Sequence, residues 1–347
     1  MGLPSCNEVS SILSDDMLVE IVTRLPVKSF SRSKCVSKSW RSLLSNDYVR
    51  SKLPLIVSGV LQPSNSTGKN GPVYVTTGDA NLVAPTGLDF FPFRLNSTLI
   101  DCCNGLLLFY STLTASFHVC NPTTKKYVSL PKPARETMLS VLAFDPCRSR
   151  HFKVVNFTGW HDHSADIELY DSQSGTWATR QVDWGLDTNA LSATMRYMDG
   201  VLYILAQPKQ VVAVDLSDNM ACSLIELPEN AKRECCLGKV GGKLHYSAID
   251  GNRMRVWMLR DEGEGGGWML KHCVCINKMG QIRVLGLDPL RDLVYLWVKG
   301  ELLVAYDVGE ERVEAAWKLG EEEKGYLIQV WVFPFSSYME DCLANSL

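Results

Sequence analysis

The sequence predicts a small all-α unit at the N-terminus followed by an all-β body, the body being a β-propeller of about six four-stranded blades. Three observations carry this. Apolar residues near the start recur at helical spacing, at Leu13, Met17, Leu18, Ile21, Val22 and Leu25. Beyond residue 55 that period gives way to short apolar runs broken by turn residues. The runs then repeat with a spacing in the mid-forties, the usual length of a propeller blade. The division that follows is residues 1–50 for the helical unit and 51–347 for the body.

In the first helix Ser14 is the expected N-cap, and Asp15 and Asp16 place negative charge in the first turn, where the helix dipole favours it. Glu20 and Arg24 stand four residues apart in the favourable order, and Pro26 stops the helix after Leu25. A second helical series runs through Val36, Trp40, Leu43 and Leu44. A unit of about 40 residues buries little surface alone. Its apolar stripe therefore either packs on the rest of the chain or stays partly exposed to dock on helices of a partner. The spacing by itself leaves both open.

Charge is divided unevenly. Residues 1–52 carry eight Lys/Arg and five Asp/Glu, a balance of +3 within a chain of net charge −3. Arg24, Lys28, Arg32, Lys34, Lys38 and Arg41 are spaced as a solvated face, without the interleaved aromatics of a nucleic-acid surface. No nucleic-acid partner is expected.

These residues carry a resemblance. Leu13 to Ile21, then Arg24-Leu25-Pro26-Val27-Lys28-Ser29-Phe30, then Arg32, Val36, Ser37-Lys38-Ser39-Trp40 and Leu43 together resemble an F-box. Ser14 stands where the family has Pro, Met17 where it has a second Leu, and Ser37 where it has Cys. The resemblance implies binding of a Skp-type adaptor, and through it a cullin, by Leu13, Ser14, Met17, Leu18, Ile21, Leu25, Pro26, Val27, Val36 and Trp40.

In the body, a polar turn follows a strand five times, marked by Asn121, Asp171, Asp215, Asp261 and Asp307. The markers are 50, 44, 46 and 46 residues apart. Upstream of most markers a tight turn precedes a strand, as in CNGLLLFY, MDGVLYILA and VGGKLHYSAI, where Gly, Asn and Asp supply the backbone angles a hairpin needs. Each unit is then strand A, turn, strand B, loop, strand C, turn, strand D. A sixth unit is expected from Lys52 to Phe93 joined by the final YLIQVWVFPF, which would close the ring and leave no open edge. A pair of open β-sandwiches is the alternative.

The units are also similar to the F-box-associated domain of plant F-box proteins. The residues concerned are Cys103-Asn104-Gly105-Leu106-Leu107, Asn121-Pro122-Thr123-Thr124, Leu130-Pro131, Phe144-Asp145-Pro146 and Phe152-Lys153-Val154-Val155. A kelch-like propeller that recognises a substrate is what this resemblance implies. Together the two resemblances imply a non-catalytic substrate-recognition subunit of an SCF-type cullin ubiquitin ligase, acting on a target protein in the cytoplasm and/or nucleus. A propeller that binds a small molecule or glycan, or an F-box protein acting outside a ligase, are the alternatives.

Other chemistry is not supported. The twelve cysteines sit largely in apolar runs, the start MGLPSC lacks the pattern of a secretion signal, and buried free thiols are expected. Cys102-Cys103, Cys235-Cys236 and Cys273-Val274-Cys275 are each expected to split their thiols between two faces of a strand. Trp160-His161-Asp162-His163 reads as a polar loop, and Gly263 to Gly267 as a hairpin tip without the Lys-Ser/Thr of a phosphate loop. No membrane span, cofactor, metal or catalytic group is expected. In the proposed strand order the B–C and D–A loops emerge on one face, and their aromatic and basic groups Arg135, Trp160, His161, Trp184, Lys209 and Arg253 are the candidate target contacts.

Overall fold

Among the described residues, three short helices form the N-terminal unit, two of them where the apolar spacing placed helices and one, Val27–Ser33, between them. The computed structural model describes residues 14–25, 27–46, 49, 57–62, 73–76, 88–94, 96–217, 219–261, 266–276, 280–288, 291–299, 302–318, 333–336 and 342–343. Helix α1 spans Asp15–Val22, α2 Val27–Ser33 and α3 Lys38–Leu44. The Ser14 hydroxyl accepts the Met17 backbone N–H at 3.3 Å, and Ser37 accepts that of Trp40 at 3.1 Å. Each cap satisfies a donor that a helix start leaves without an intrahelical partner. Leu18, Val19 and Val22 meet Phe30, Leu44 and Val49 in a small core, with Trp40 and Leu43 at its edge. Among the described residues this core holds only side chains of the helical unit itself.

The body begins with β1 (Val57–Gln62) and β2 (Val73–Thr76). Five four-stranded antiparallel blades follow. Blade 1 is β3 (Thr98–Cys103), β4 (Leu106–Ser111), β5 (Ser116–Asn121) and β6 (Lys126–Ser129). Blade 2 is β7 (Leu139–Ala143), β8 (Lys153–Trp160), β9 (Ser164–Asp171) and β10 (Thr176–Asp183). Blade 3 is β11 (Leu191–Met198), β12 (Val201–Ala206), β13 (Gln210–Asp215) and β14 (Cys222–Glu226). Blade 4 is β15 (Glu234–Val240), β16 (Lys243–Asp250), β17 (Arg253–Leu259) and β18 (Trp268–Cys275). Blade 5 is β19 (Ile282–Leu287), β20 (Leu293–Val298), β21 (Leu302–Asp307) and β22 (Arg312–Lys318).

The first strands of successive blades neighbour one another in turn, and β23 (Phe333–Ser336) lies between β19 and β3. That strand pairs with β1, and β1 with β2. The expectation of about six four-stranded blades is therefore corrected to five, plus a closing sheet with three strands among the described residues. As expected, the closing sheet is assembled from distant parts of the chain rather than from one continuous hairpin series. A ring, rather than two open sandwiches, is the outcome.

Turn chemistry explains the repeat. Three A–B hairpins turn on two residues that both have positive φ: Asn104-Gly105, Asp199-Gly200 and Gly241-Gly242. At the C–D turns, Asn121, Asp171, Asp215 and Asp307 each end strand C, and their side chains accept the backbone N–H two residues on, at 2.7–2.9 Å. Asp261 falls two residues past the end of β17 and instead takes the Gly266 N–H on its backbone carbonyl. The repeated Asn and Asp are thus turn-formers.

Between blades the strands bury continuous apolar layers. Leu106, Leu108 and Phe117 of blade 1 meet Leu142, Phe144, Phe152 and Val154 of the blade 2 region, and Leu343 near the C-terminus enters the same layer. Outer strands are clasped by indoles: the Trp177 N–H donates to the Pro131 carbonyl at 2.7 Å, and that of Trp268 to the Glu226 carbonyl at 2.6 Å. In both cases a strand D reaches back to the preceding blade. The Cys103-Asn104-Gly105 motif does similar work at the inner edge, where the Asn104 amide donates to the Phe144 carbonyl at 2.7 Å.

Candidate interaction surfaces

The residues singled out in the sequence fall on two surfaces, one on the helices and one on the propeller. On α1, Leu18 is 4% exposed, whereas Met17 and Ile21, one turn apart, are 55% and 51% exposed. Leu25 and Val36 are exposed as well, and Trp40 is half-buried. Leu18 therefore belongs to the core of the helical unit, where it braces α1 against Phe30 and Leu44, and is corrected from a contact residue to a supporting one. Ser14 is committed to its cap and stays exposed. Leu13 and Pro26 lie outside the described residues, and Val27 opens α2. Four large apolar side chains, Met17, Ile21, Leu25 and Val36, thus stand in solvent on a unit with few buried ones to spare.

On the propeller, the observed strand order places the B–C and D–A loops on one face, as the sequence predicts. Arg135, from the loop between β6 and β7, reaches Asp166 of β9 at 2.8 Å. His161, in the loop between β8 and β9, approaches the other oxygen of the same carboxylate at 3.5 Å. The hydrogen bond from Arg135, ahead of that from His161, holds the Asp166 carboxyl below its ordinary range. Trp160 lies parallel to Phe157 with ring centroids 5.0 Å apart and stands 5.9 Å from Trp184. Trp184 itself is buried, its indole N–H bonded to the Thr188 hydroxyl at 3.0 Å. It is corrected from a surface contact to a support beneath Trp160: a loop aromatic folds inward when its N–H finds a partner there.

Lys209 lies in the matching loop of blade 3, and Arg253 opens β17 beside the matching loop of blade 4. Lys209 pairs with Glu226 at 2.8 Å, and Arg253 is exposed opposite Asp250 in the β16–β17 ladder. Arg135, Trp160, His161 and Trp184 are drawn into one cluster; Lys209 and Arg253 continue the face without joining it.

Two residues that hold this cluster together escape sequence reasoning. Asp166 bridges Arg135 and His161. Glu168, 2% exposed, accepts the backbone N–H groups of Ala134 and Arg135 at 3.0 and 3.3 Å, and the Asn156 amide at 3.4 Å. Ser140 completes the chain by donating to Asn156 at 3.2 Å. A buried carboxylate met by three donors fixes the β6–β7 loop and so aims Arg135. The available signal was Asp166 and Glu168 two residues apart in the strand SADIELYD, which puts both carboxylates on one face.

A third polar cluster lies near the ring's inner edge. The Asp101 carboxylate of β3 accepts the Leu142 N–H at 2.7 Å and the Cys102 N–H at 2.8 Å. Burial pushes its pKa up to about 6, against the pull of those two donors and of Arg196 on β11. Both carboxylate oxygens already have partners, so the group straps blade 1 to blade 2. Among the described residues no group of three or more His, Cys, Asp or Glu is placed to hold a metal ion, and no helix is long and apolar enough to cross a membrane.

Comparison with known proteins matches both regions. Residues 10–52 match the F-box domain model. Residues 89–342 match the model described as "F-box protein At3g26010-like, beta-propeller". Among curated proteins, F-box protein At5g07610 of Arabidopsis thaliana is 35% identical over 185 residues, covering 47% of this chain and 44% of that protein. F-box protein At5g49610 of the same plant is 29% identical, covering 49% of this chain and 51% of the relative. The F-box/kelch-repeat protein At3g23880, also from Arabidopsis thaliana, is 24% identical over 331 residues and is covered to 83%. The chain thus spans about half the length of the first two relatives.

Proposed function

The chain belongs to the F-box proteins with an At3g26010-like β-propeller, and from that premise we propose that it is a substrate-recognition subunit of an SCF-type ubiquitin ligase. One observation carries the reading: among the described residues the helical unit has a small core of its own and still leaves Met17, Ile21, Leu25 and Val36 in solvent. That surface would grip a Skp-type adaptor and, through it, a cullin. The propeller face around Arg135, Trp160, His161 and Asp166 would hold a target protein. Lys209 and Arg253 would extend that contact along the next two blades.

The mechanism is proximity. Tethering a target beside a charged ubiquitin carrier raises its effective concentration, to the millimolar range for short flexible connections. On this reading the chain makes and breaks no bond and needs no cofactor, and degradation of the target follows ubiquitination. It would work in the cytoplasm and/or nucleus, where thiols such as the buried Cys103, Cys120 and Cys236 stay reduced. Burial pushes the Cys236 thiol up to about 12, which suits an inert core thiol. A ligand at the inner edge of the ring is not favoured, because the Asp101 carboxylate there is already satisfied.

The first experiment is co-purification. Leu25→Ala with Pro26→Ala in the full chain is expected to lose the Skp-type adaptor while the propeller keeps its far-UV circular dichroism. Undiminished adaptor binding would remove the helical surface from the reading. For the propeller, charge reversal at Arg135, Lys209 and Arg253 together is expected to stop capture and turnover of the target in cells. If turnover is unchanged, the opposite face or the rim holds the target instead.

A further inference from the structure

The last strand of blade 4 carries a feature that the ligase reading does not use. Cys273 and Cys275 on β18 are both exposed, while Val274 between them is buried. The expectation that these two thiols face opposite ways is corrected: side chains alternate along a strand, so residues i and i+2 share a face. Cys273 and Cys275 therefore stand side by side on the solvent-facing side of an outer strand. The ladder sets a basic residue against each of them, Arg255 opposite Cys273 and Arg253 opposite Cys275. Residues directly opposite in an antiparallel pair have Cβ atoms about 5 Å apart. Arg255 also pairs with Glu229 at 2.8 Å and Asp250 at 3.4 Å, and Arg253 has no ion-pair partner among the described residues.

Three arguments decide what such a pair can take. The first is spacing. Residues i and i+2 on a strand lie about 6.7 Å apart. A disulfide wants Cβ atoms about 3.8 Å apart, which would force the end of β18 to buckle. A single ion between the sulfurs spans the gap with side-chain rotation alone. The second is donor number. Among the described residues no group of three or more His, Cys, Asp or Glu is placed to hold a metal ion, and two sulfurs match the linear coordination of a soft monovalent ion rather than the four protein ligands of a structural zinc site. The third is charge. Two thiolates around a monovalent cation leave one negative charge, and Arg253, opposite Cys275 in the ladder and without an ion-pair partner among the described residues, is available to balance it, whereas Arg255 is already paired with Glu229 and Asp250.

We propose that Cys273 and Cys275 form a two-coordinate thiolate site for a soft monovalent cation of the copper(I) class. Thiolate sulfur selects that class over harder ions. The two thiol protons pass to solvent as the ion enters, and no electron is transferred. The site does not depend on the ligase reading. It lies at the D–A end of β18, across the ladder from Arg253, one of the proposed target contacts.

The probe is copper(I) itself, titrated anaerobically into the reduced full chain against a chromogenic copper(I) chelator, with native mass spectrometry as a second readout. One equivalent per chain is expected to be lost in Cys273→Ser, in Cys275→Ser and in the double variant, and retained in Cys35→Ser, which removes another exposed thiol. Circular dichroism separates loss of the site from loss of fold. The proposal is overturned if the double serine variant keeps the same stoichiometry. It is equally overturned if zinc(II) binds this pair as tightly as copper(I), or if mild oxidation converts the pair to a disulfide in preference to binding the ion.

Discussion

Met17→Asp combined with Ile21→Asp is expected to abolish co-purification of a Skp-type adaptor and to leave the helical unit folded. Both side chains stand on the solvent side of α1, so neither contributes to the core of Leu18, Val19, Val22, Phe30, Leu44 and Val49. Burying an apolar side chain of this size in a partner contributes about 1.5–3 kcal/mol. Losing two such contacts removes at least about 3 kcal/mol, or more than 100-fold in affinity. A carboxylate trapped in the interface costs more again. The contrasting variant is Leu18→Asp, which puts a charge inside the helical core. It is expected to lose adaptor binding together with the helical circular dichroism of residues 14–46. Adaptor binding that survives Met17→Asp with Ile21→Asp in a folded chain would place the contact on another surface.

This contrast also shows where sequence reasoning stops. The period of α1 defined a wide apolar stripe, and its start was legible because Ser14, Asp15 and Asp16 act over a few residues. Which part of the stripe turns inward was not legible. Leu18 and Ile21 are neighbours on one helix face, and only the positions of α2 and α3 bury one and leave the other in water. Blade spacing was legible for a similar local reason: Asn121, Asp171, Asp215 and Asp307 make their turns with their own backbone.

The propeller face was legible as a set of loops but not as a set of contacts. Glu168 bonds backbone 33 and 34 residues away, and Arg135 meets Asp166 across 31 residues. No periodicity encodes such pairs. Trp184 looked like an exposed loop aromatic until Thr188 supplied a partner for its N–H beneath the surface. The pairing of β23 with β1 was legible, because the final apolar run YLIQVWVFPF had no partner strands next to it in sequence. The contacts that shape this face are the non-local ones, and they are the contacts a linear pattern does not carry.

Asp101→Asn is expected to change how the propeller's stability depends on pH. Burial raises the Asp101 carboxyl from its ordinary 3.8 to about 6 in the folded chain. Between those two values the folded state binds a proton that the unfolded state has released. The contribution of this group is therefore fully present below the unfolded value and is lost as pH rises through about 6. A shift of about two pH units corresponds to about 3 kcal/mol in full, of which about 2 kcal/mol falls between pH 4 and pH 7.5. Asparagine does not titrate, so the stability difference between variant and parent should move by that amount toward the variant as pH rises from 4 to 7.5. Urea unfolding at the two values measures it. The same linkage has a local consequence. Asp101 accepts the Leu142 N–H and so ties β3 to β7, and the carboxylate is charged at neutral pH in a site that disfavours charge. Parallel stability curves for variant and parent would mean that Arg196 and the two backbone donors already compensate the buried charge, and the strap between blades 1 and 2 would then be neutral to pH.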